Sequence, residues 1–345
     1  MRQNKKKATI AVLAKESGVS VATVNRVLSG SQKVRRETME LVEQAAQKIG
    51  FYGKNAIQQQ IKSLMPKFRF TVLLLQPGRH FYETLGDHLN KSVNQFRNYQ
   101  ISLNIVFLDN LSPEHVAEQI IQNAKSSDGI GVVAASHPLI TEAIEIAYRQ
   151  GVMVTSLISP LSADCDVNYV GLDNWKAGRT AAWTFHNMCS ESGKIGILIG
   201  NHRFRNQDVK ESGFRSYFRE CQRDGSLLEP LFTYESRAVA REMTEKLLAE
   251  HANLEGIFIC GGGITGVLNA LQENRDRKIV TVGFDLFDRT RAGLIDGTLT
   301  LCISFPYQRF ATEIIQTMLD SRLKDGESIA KQSYINFEIF TSENL

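Results

Sequence analysis

Residues Thr9 to Gly30 read T-I-A-V-L-A-K-E-S-G-V-S-V-A-T-V-N-R-V-L-S-G, and this stretch decides how the N-terminal part of the chain folds. Thr9 is placed to cap a helix from about Ile10 to Glu16 and Gly18 supplies a turn. Ser20 can then accept a hydrogen bond from the free amides that open a second helix, Val21 to Leu28. A third helix is predicted from about Arg36 to Lys48, closing at Gly50, where a left-handed residue is easily placed. Ala14, Val19, Val24, Val27 and Leu28 would pack the first pair inward. That leaves Val21, Ala22, Thr23, Asn25 and Arg26 on the outer face or leading end of the second helix, small or hydrogen-bonding groups that suit base edges.

Charge points the same way. The 345-residue chain carries only +3, but residues 1–67 hold nine lysines and four arginines against four glutamates, a local balance of +9 that leaves −6 for the rest. A basic segment with helix-spaced apolar residues can fold, and a folded basic module implies an anionic partner, nucleic acid first. A three-helix protein-interaction module is the plainer alternative, and the local charge weighs against it. The 43% hydrophobic and 22% charged content fits a soluble protein of two or three packed units. No apolar run reaches the roughly 18 residues of a membrane helix, and basic Met1 to Lys7 leads into no apolar leader region. Five scattered cysteines (Cys165, Cys189, Cys221, Cys260, Cys302) without a Cys-x-x-Cys pair argue against disulfides or structural zinc. A cytoplasmic protein is expected.

Beyond Lys67, short apolar runs alternate with amphipathic helical stretches: Thr71 to Leu75, Leu103 to Leu108, Gly129 to Ala134, Val152 to Ile158, Lys194 to Ile199, Gly256 to Cys260 and Lys278 to Phe284. This is an α/β pattern of parallel sheets with helices on both faces. Ligands of such sheets bind beyond the carboxyl ends of the strands. The residues found there are Gln76 with Arg79, His80, Phe81 and Tyr82; Ser136 and His137; Ser159; Asp173 and Asn174; His202 to Asp208; Tyr234; Cys260 to Gly263; and Asp285. Rings beside carboxylates, amides and basic groups suit a small polar molecule such as a sugar. For any one of them an ordinary loop or core role is equally open.

Cys260 to Gly266, C-G-G-G-I-T-G, contains the glycines of a dinucleotide turn (Gly261, Gly263, Gly266), with Asp285 nineteen residues on. It lies late in the chain rather than opening a Rossmann unit, so a dinucleotide-dependent oxidoreductase is the weaker reading. An anion at this helix start is the better one. H-E-x-x-H, G-x-S-x-G and Walker patterns are missing, and the seven histidines are dispersed. Neither catalysis, cofactor nor metal is expected.

The Thr9 to Gly30 run, with A-A-Q-K-I-G-F-Y at Ala45 to Tyr52, resembles the DNA-binding head of the LacI (lactose repressor) family of bacterial transcription regulators. Val170 to Ala182, Lys210 to Phe218 and Ile279 to Asp285 resemble its core, which is similar to periplasmic sugar-binding proteins. The resemblance implies an all-α helix-turn-helix head at 1–53, a hinge or linker at 54–67 and a core at 68–345. The core would have two parallel-sheet lobes joined by three crossings: lobe 1 about 69–170 and 303–325, lobe 2 about 171–300 and 330–341.

It further implies that Val21 and Ala22 choose operator bases, with Asn25, a departure from the usual serine, and Arg26 beside them. Thr9, Ser20, Thr23 and Asn55 match positions that touch phosphates or cap helices. Residues 53–64 are too short and polar to hold a helix alone; in the family this linker becomes a hinge helix on DNA, and Ile61 falls at the apolar wedge that enters the minor groove. A flexible tether is the plainer reading of that linker, and Lys54 replaces a usual proline. In the cleft, Phe81 and Tyr82 match ring-stacking aromatics, Asp173 lies on the cleft strand, Asp285 matches a hydroxyl-accepting carboxylate, and Lys210 replaces a ligand-pairing arginine. Ile158, Ser159, Cys260, Gly261 and Phe305 replace sugar-reading polar groups. The implied function is a repressor that binds a palindromic operator as a homodimer under control of a sugar, sugar phosphate or polyol. The absence of a heptad tail after a last strand at about Ser333 to Phe340 favours the dimer. A ligand-binding protein without DNA specificity is the other alternative.

Overall fold

A computed structural model describes residues 8–30, 34–323 and 330–345. The chain divides into two compact units, one of residues 1–68 with 96–102, the other of residues 69–95 with 103–345.

The first unit is helical. α1 (Ile10–Ser17), α2 (Val21–Ser29) and α3 (Arg36–Lys48) form where capping and periodicity place them. Thr9 Oγ1 accepts from the Val12 amide at 3.4 Å and Ser20 Oγ from the Thr23 amide at 3.1 Å. Gly18 and Gly30 close α1 and α2 at φ 69° and 62°, left-handed positions where a side chain is strained. Leu13, Ala14, Val24, Val27, Met39, Val42, Ala45, Ala46 and Phe51 make the core, with Val19 and Leu28 packed at its margin.

Residues Lys54–Ser63 are a helix, α4, and it has a partner within its own unit. Ile57 and Ile61, one turn apart on one face, are buried in the core of α1–α3. Gln58 Nε2 adds a bond to Glu43 of α3 at 2.7 Å. Burial of this face supplies the stabilisation that a short, polar helix lacks in isolation.

The second unit holds two six-stranded sheets. The first has the order β11-β5-β4-β3-β1-β2, built from β1 (Lys67–Leu75), β2 (Gln100–Leu108), β3 (Gly129–Val132), β4 (Met153–Leu157), β5 (Val167–Leu172) and β11 (Gln332–Ile335). The second has the order β12-β10-β9-β8-β6-β7, from β6 (Lys194–Ile199), β7 (Leu231–Phe232), β8 (Leu254–Ile259), β9 (Val280–Phe284), β10 (Leu301–Ser304) and β12 (Glu338–Phe340). Strands β1, β3, β4, β5 and β11 pair in parallel, as do β6 to β10, while β12 runs antiparallel to β10.

Helices cover both faces of each sheet, and the two-residue side-chain period of the strands serves both layers. In the second sheet Phe258 and Cys260 face α8 (Asn174–Met188) and α9 (Arg205–Glu220). Ile257 and Ile259, one step off, face α10 (Arg237–Glu250), α11 (Ile264–Glu273) and α12 (Asp288–Asp296). In the first sheet Ile130 and Val132 face α6 (Pro113–Ala124) and α7 (Pro138–Arg149). Gly129 meets Met318 of α13 (Tyr307–Leu323), which packs beside α5 (His80–Val93).

The chain crosses between lobes after β5, after β10 and between β11 and β12, three times as expected. Two boundaries differ. β10 ends at Ser304 in the second sheet, so the return to lobe 1 starts after it and not at 303. The expected final strand is two: β11 pairs with β5 of the first sheet, and only β12 joins the second. Continuous apolar patterning cannot mark a strand that changes sheets midway. Residues 324–329 of the expected boundary lie outside the described residues.

Helices α8 and α9 approach closely because each offers a glycine to the other's backbone. A side chain at Gly178 would fall on the Lys210 carbonyl, and a Cβ at Gly213 would stand 2.5 Å from the Trp175 carbonyl. Gly178→Ala should therefore push α9, and Lys210 with it, away from α8. Overpacking of this kind costs about 1–3 kcal/mol, which lowers the thermal midpoint by about 5 °C; an unchanged melting curve would mean that the pair slides apart freely.

Candidate DNA-reading helix and ligand cleft

On α2 the residues singled out for base contact are presented to solvent. Val21 is 47% exposed although apolar, and Ala22, Asn25 and Arg26 are exposed as well. Asn25 and Arg26 stand one turn after Val21 and Ala22, so the four form one surface, with Val24 and Val27 turned into the core. Thr23 is half-buried and its hydroxyl bonds Ser20 Oγ at 2.9 Å. Thr9 and Ser20 are the caps of their helices, and both remain exposed. Asn55 is exposed in the first turn of α4. Ile61, matched to the position that wedges into the minor groove on DNA, is 8% exposed and belongs to the core of this unit. Its spacing of four from buried Ile57 turns it inward; the exposed large apolar residue at the end of this helix is Leu64.

Between the two lobes lies a cavity of about 350 Å³. Gln76, Arg79, His80, Phe81, Tyr82, Cys260 and Asp285, named at the strand ends, line it together with Lys210, named from the resemblance, and so do Ile158, Gly261 and Phe305. Phe81 and Phe305 meet edge to face at 5.4 Å and form an aromatic wall. Tyr82 packs edge-on against Phe81 at 5.1 Å, and its burial pushes the phenol well above its ordinary value, so it stays protonated.

Opposite stand the charged groups. The Lys210 ammonium is buried, 3.6 Å from the centre of the Phe284 ring and 3.4 Å from the Cys260 carbonyl. Burial pulls its pKa down, with Asp285 the largest opposing charge. Asp285 has a left-handed backbone at φ 70°, and its Oδ1 is buried without a hydrogen-bond partner. Burial raises its carboxyl to about 6, against the pull of Lys210 and Arg79. Asn206 Oδ1 is buried and unpartnered too. An unpaired buried acceptor costs roughly 1–3 kcal/mol, so both call for a ligand that donates.

Three expected cleft residues lie elsewhere. His137 caps α7, its Nδ1 accepting from the Leu139 amide at 3.3 Å. Asp173 caps α8 through the Lys176 amide at 3.0 Å and pairs with the Lys176 ammonium at 3.2 Å. Asn174 is buried at the first crossing and donates to Tyr169 Oη at 3.1 Å and to the Leu172 carbonyl at 3.2 Å. A polar residue after a strand has two uses, facing a ligand or capping the next helix, and these three cap or tie.

Asn206 and Gln207, within the His202 to Asp208 run named at the strand ends, line the cavity, and so do Glu235 and Phe287, which were not singled out. Asn206 and Gln207 carried a signal: they precede Lys210 by four and three residues on α9, hence share its face. The glycines of the Cys260–Gly263 turn are explained from within the protein. A side chain at Gly261 would overlap Gln207, one at Gly262 would overlap Glu235, and a Cβ at Gly263 would stand 2.6 Å from that of Ala240. The fit of this turn around Gln207, Glu235 and Ala240 therefore accounts for small residues here without a dinucleotide. Among the described residues no group of His, Cys, Asp and Glu is placed to hold a metal ion, and no helix is long and apolar enough to cross a membrane.

Comparison with known proteins finds matches to both parts of the chain. Residues 9–53 match the bacterial regulatory proteins of the lacI family, and residues 70–325 match the periplasmic binding protein domain. The chain is 24% identical over 291 residues to catabolite control protein A of Priestia megaterium, covering 80% of this chain and 82% of the relative. It is 27% identical over 229 residues to the transcriptional regulator PepR1 of Lactobacillus delbrueckii subsp. lactis, a match spanning 64% of each. Among solved structures, a glucose-galactose binding protein from Geobacillus stearothermophilus superposes with a TM-score of 0.70 at 15% identity, over 81% of this chain and 99% of that one. A solute binding protein from Burkholderia graminis, solved with D-arabinose, gives 0.70 at 18% identity, over 80% and 96%. At such identities the structures speak for the fold. The chain belongs to the periplasmic binding protein domain family and, through its N-terminal helix-turn-helix head, to the lacI family of bacterial transcription regulators.

Proposed function

We propose that this regulator is a repressor that binds a palindromic operator as a homodimer in the cytoplasm and responds to a small sugar-like effector in the interlobe cavity. One observation carries the reading: a folded basic head exposes Val21, Ala22, Asn25 and Arg26 together on one helix, in the same chain as a cavity with two unsatisfied acceptors and an aromatic wall. Relatives point the same way, since PepR1 and GalS are named as transcriptional regulators and two of the superposed proteins were solved with D-arabinose and D-allose. Phosphate contacts from the basic head supply affinity that falls steeply with salt, while the α2 surface supplies sequence preference. Two heads related by a dyad need two half-sites. The effector acts by favouring one lobe arrangement, which shifts the population competent for DNA.

Selection of random duplex DNA by the full-length protein at two salt concentrations tests this. An enriched palindrome is expected, retained better than random sequence at the higher salt. Enrichment of a single half-site would remove the dimer. Binding without any sequence preference, in the presence and absence of a metabolite pool, would remove the reading altogether.

A further inference from the structure

The turn after β8 faces a carboxylate that belongs to the protein. Glu235 follows Tyr234 in the loop between β7 and α10, and both have left-handed backbones, φ 61° and 50°. Non-glycine residues hold such conformations only where surrounding contacts impose them. Here the contacts are specific. Arg79, from the other lobe, donates from Nη1 and Nη2 to Glu235 Oε2 at 3.2 Å each, and from Nη2 to the Glu235 carbonyl at 3.1 Å. Gln207 Nε2 donates to Oε1 at 2.8 Å. Gln207 is itself oriented, because its Oε1 accepts from the amides of Gly200 and Asn201 at 2.7 and 3.1 Å. Side chains at Gly200 and Gly262 would overlap this carboxylate. Several loop ends are thus shaped around one resident anion, and its pair with Arg79 is largely sheltered, with side chains 30% and 18% exposed.

The other cation of the cavity, Lys210, is buried, its ammonium at 3.4 Å from the Cys260 carbonyl and over the Phe284 ring, and Asp285 is the carboxylate that acts on it most strongly. The unmet needs of the cavity are those of acceptors, Asn206 Oδ1 and Asp285 Oδ1. A ligand that satisfies them brings donors such as hydroxyls, whereas an incoming phosphate would bring more acceptors and meet two carboxylates.

We propose that Glu235 sets the charge class of the effector: its carboxylate fills the place beside Arg79, Gln207 and the glycine turn that a phosphate or carboxylate group would take, so the cleft selects uncharged, hydroxyl-rich molecules over their phosphorylated forms. This inference rests on the reading of the cavity as the effector site.

The test uses full-length wild type, Glu235→Ala, Glu235→Gln and the double variant Arg79→Gln/Glu235→Ala. Each is titrated calorimetrically with inorganic phosphate and with glucose 6-phosphate at constant ionic strength. Removing the resident carboxylate frees the Arg79 guanidinium, a strong phosphate partner. Glu235→Ala should bind phosphate at least tenfold more tightly than wild type, and the double variant should lose that gain. Glu235→Gln, which keeps the volume while removing the charge, should gain by less and stands in for the alanine variant if the latter does not fold. Equal phosphate affinity in wild type and the neutral variants overturns the role of Glu235 and leaves the effector-site reading intact. A gain that survives in the double variant means that Arg79 does not hold the anion and overturns the proposal, leaving the effector-site reading intact.

Discussion

Arg26→Ala is expected to lower affinity for the selected operator by about ten- to a hundredfold, the roughly 1–3 kcal/mol carried by one good side-chain to base contact. Arg26 is exposed on α2 one turn beyond Ala22, so it extends the surface that Val21 and Ala22 begin. A guanidinium there can present two parallel donors to a guanine edge, which a lysine could not mimic. Nonspecific binding should change little, because one charge is removed from a segment that carries nine lysines and four arginines. The salt dependence should flatten by about one unit of slope at most. Competition titrations against operator and random duplex at two salt concentrations read both quantities. Unchanged operator affinity would mean that α2 does not face the bases; a parallel loss on both DNAs would make Arg26 a phosphate contact.

What could be read in advance followed physical determinism at each level. Caps, turn glycines and the apolar period of α1–α3 depend on residues a few positions apart, so their boundaries emerged within a residue or so. Val/Ile-rich strands buried on both faces were legible for the same reason. Strand ends were less so, because His137, Asp173 and Asn174 have the same polar character as true cavity residues and differ only in which neighbour they satisfy. Glu235 offered no local signal at all. Its place depends on the left-handed backbone it shares with Tyr234, and on Arg79 from the other lobe and the missing side chains of Gly200 and Gly262, which are remote from it in sequence. The split of the last strand between sheets is equally a matter of tertiary pairing.

Ile57→Ala is expected to destabilise the entire N-terminal unit, and operator and nonspecific binding should fall together. Ile57 is fully buried and Ile61 nearly so, against a core drawn from α1, α2 and α3. Deleting a buried isoleucine to alanine costs about 2–5 kcal/mol, while a unit of some sixty residues has only about 3–9 kcal/mol of stability to lose. Hydrogen exchange of the full-length protein separates this from a role on DNA. In Ile57→Ala, and to a smaller extent in Ile61→Ala, amides of α1–α3 should exchange faster without any DNA present, because α4 is then part of what holds them. If Ile61 instead acted mainly as a wedge in the minor groove, its alanine variant would leave exchange in α1–α3 untouched and lose operator affinity selectively. Packing on the free head and wedging on DNA use the same side chain, so a helix committed to the core must give up that burial before it can enter the groove. The cost of that exchange would be paid from operator affinity.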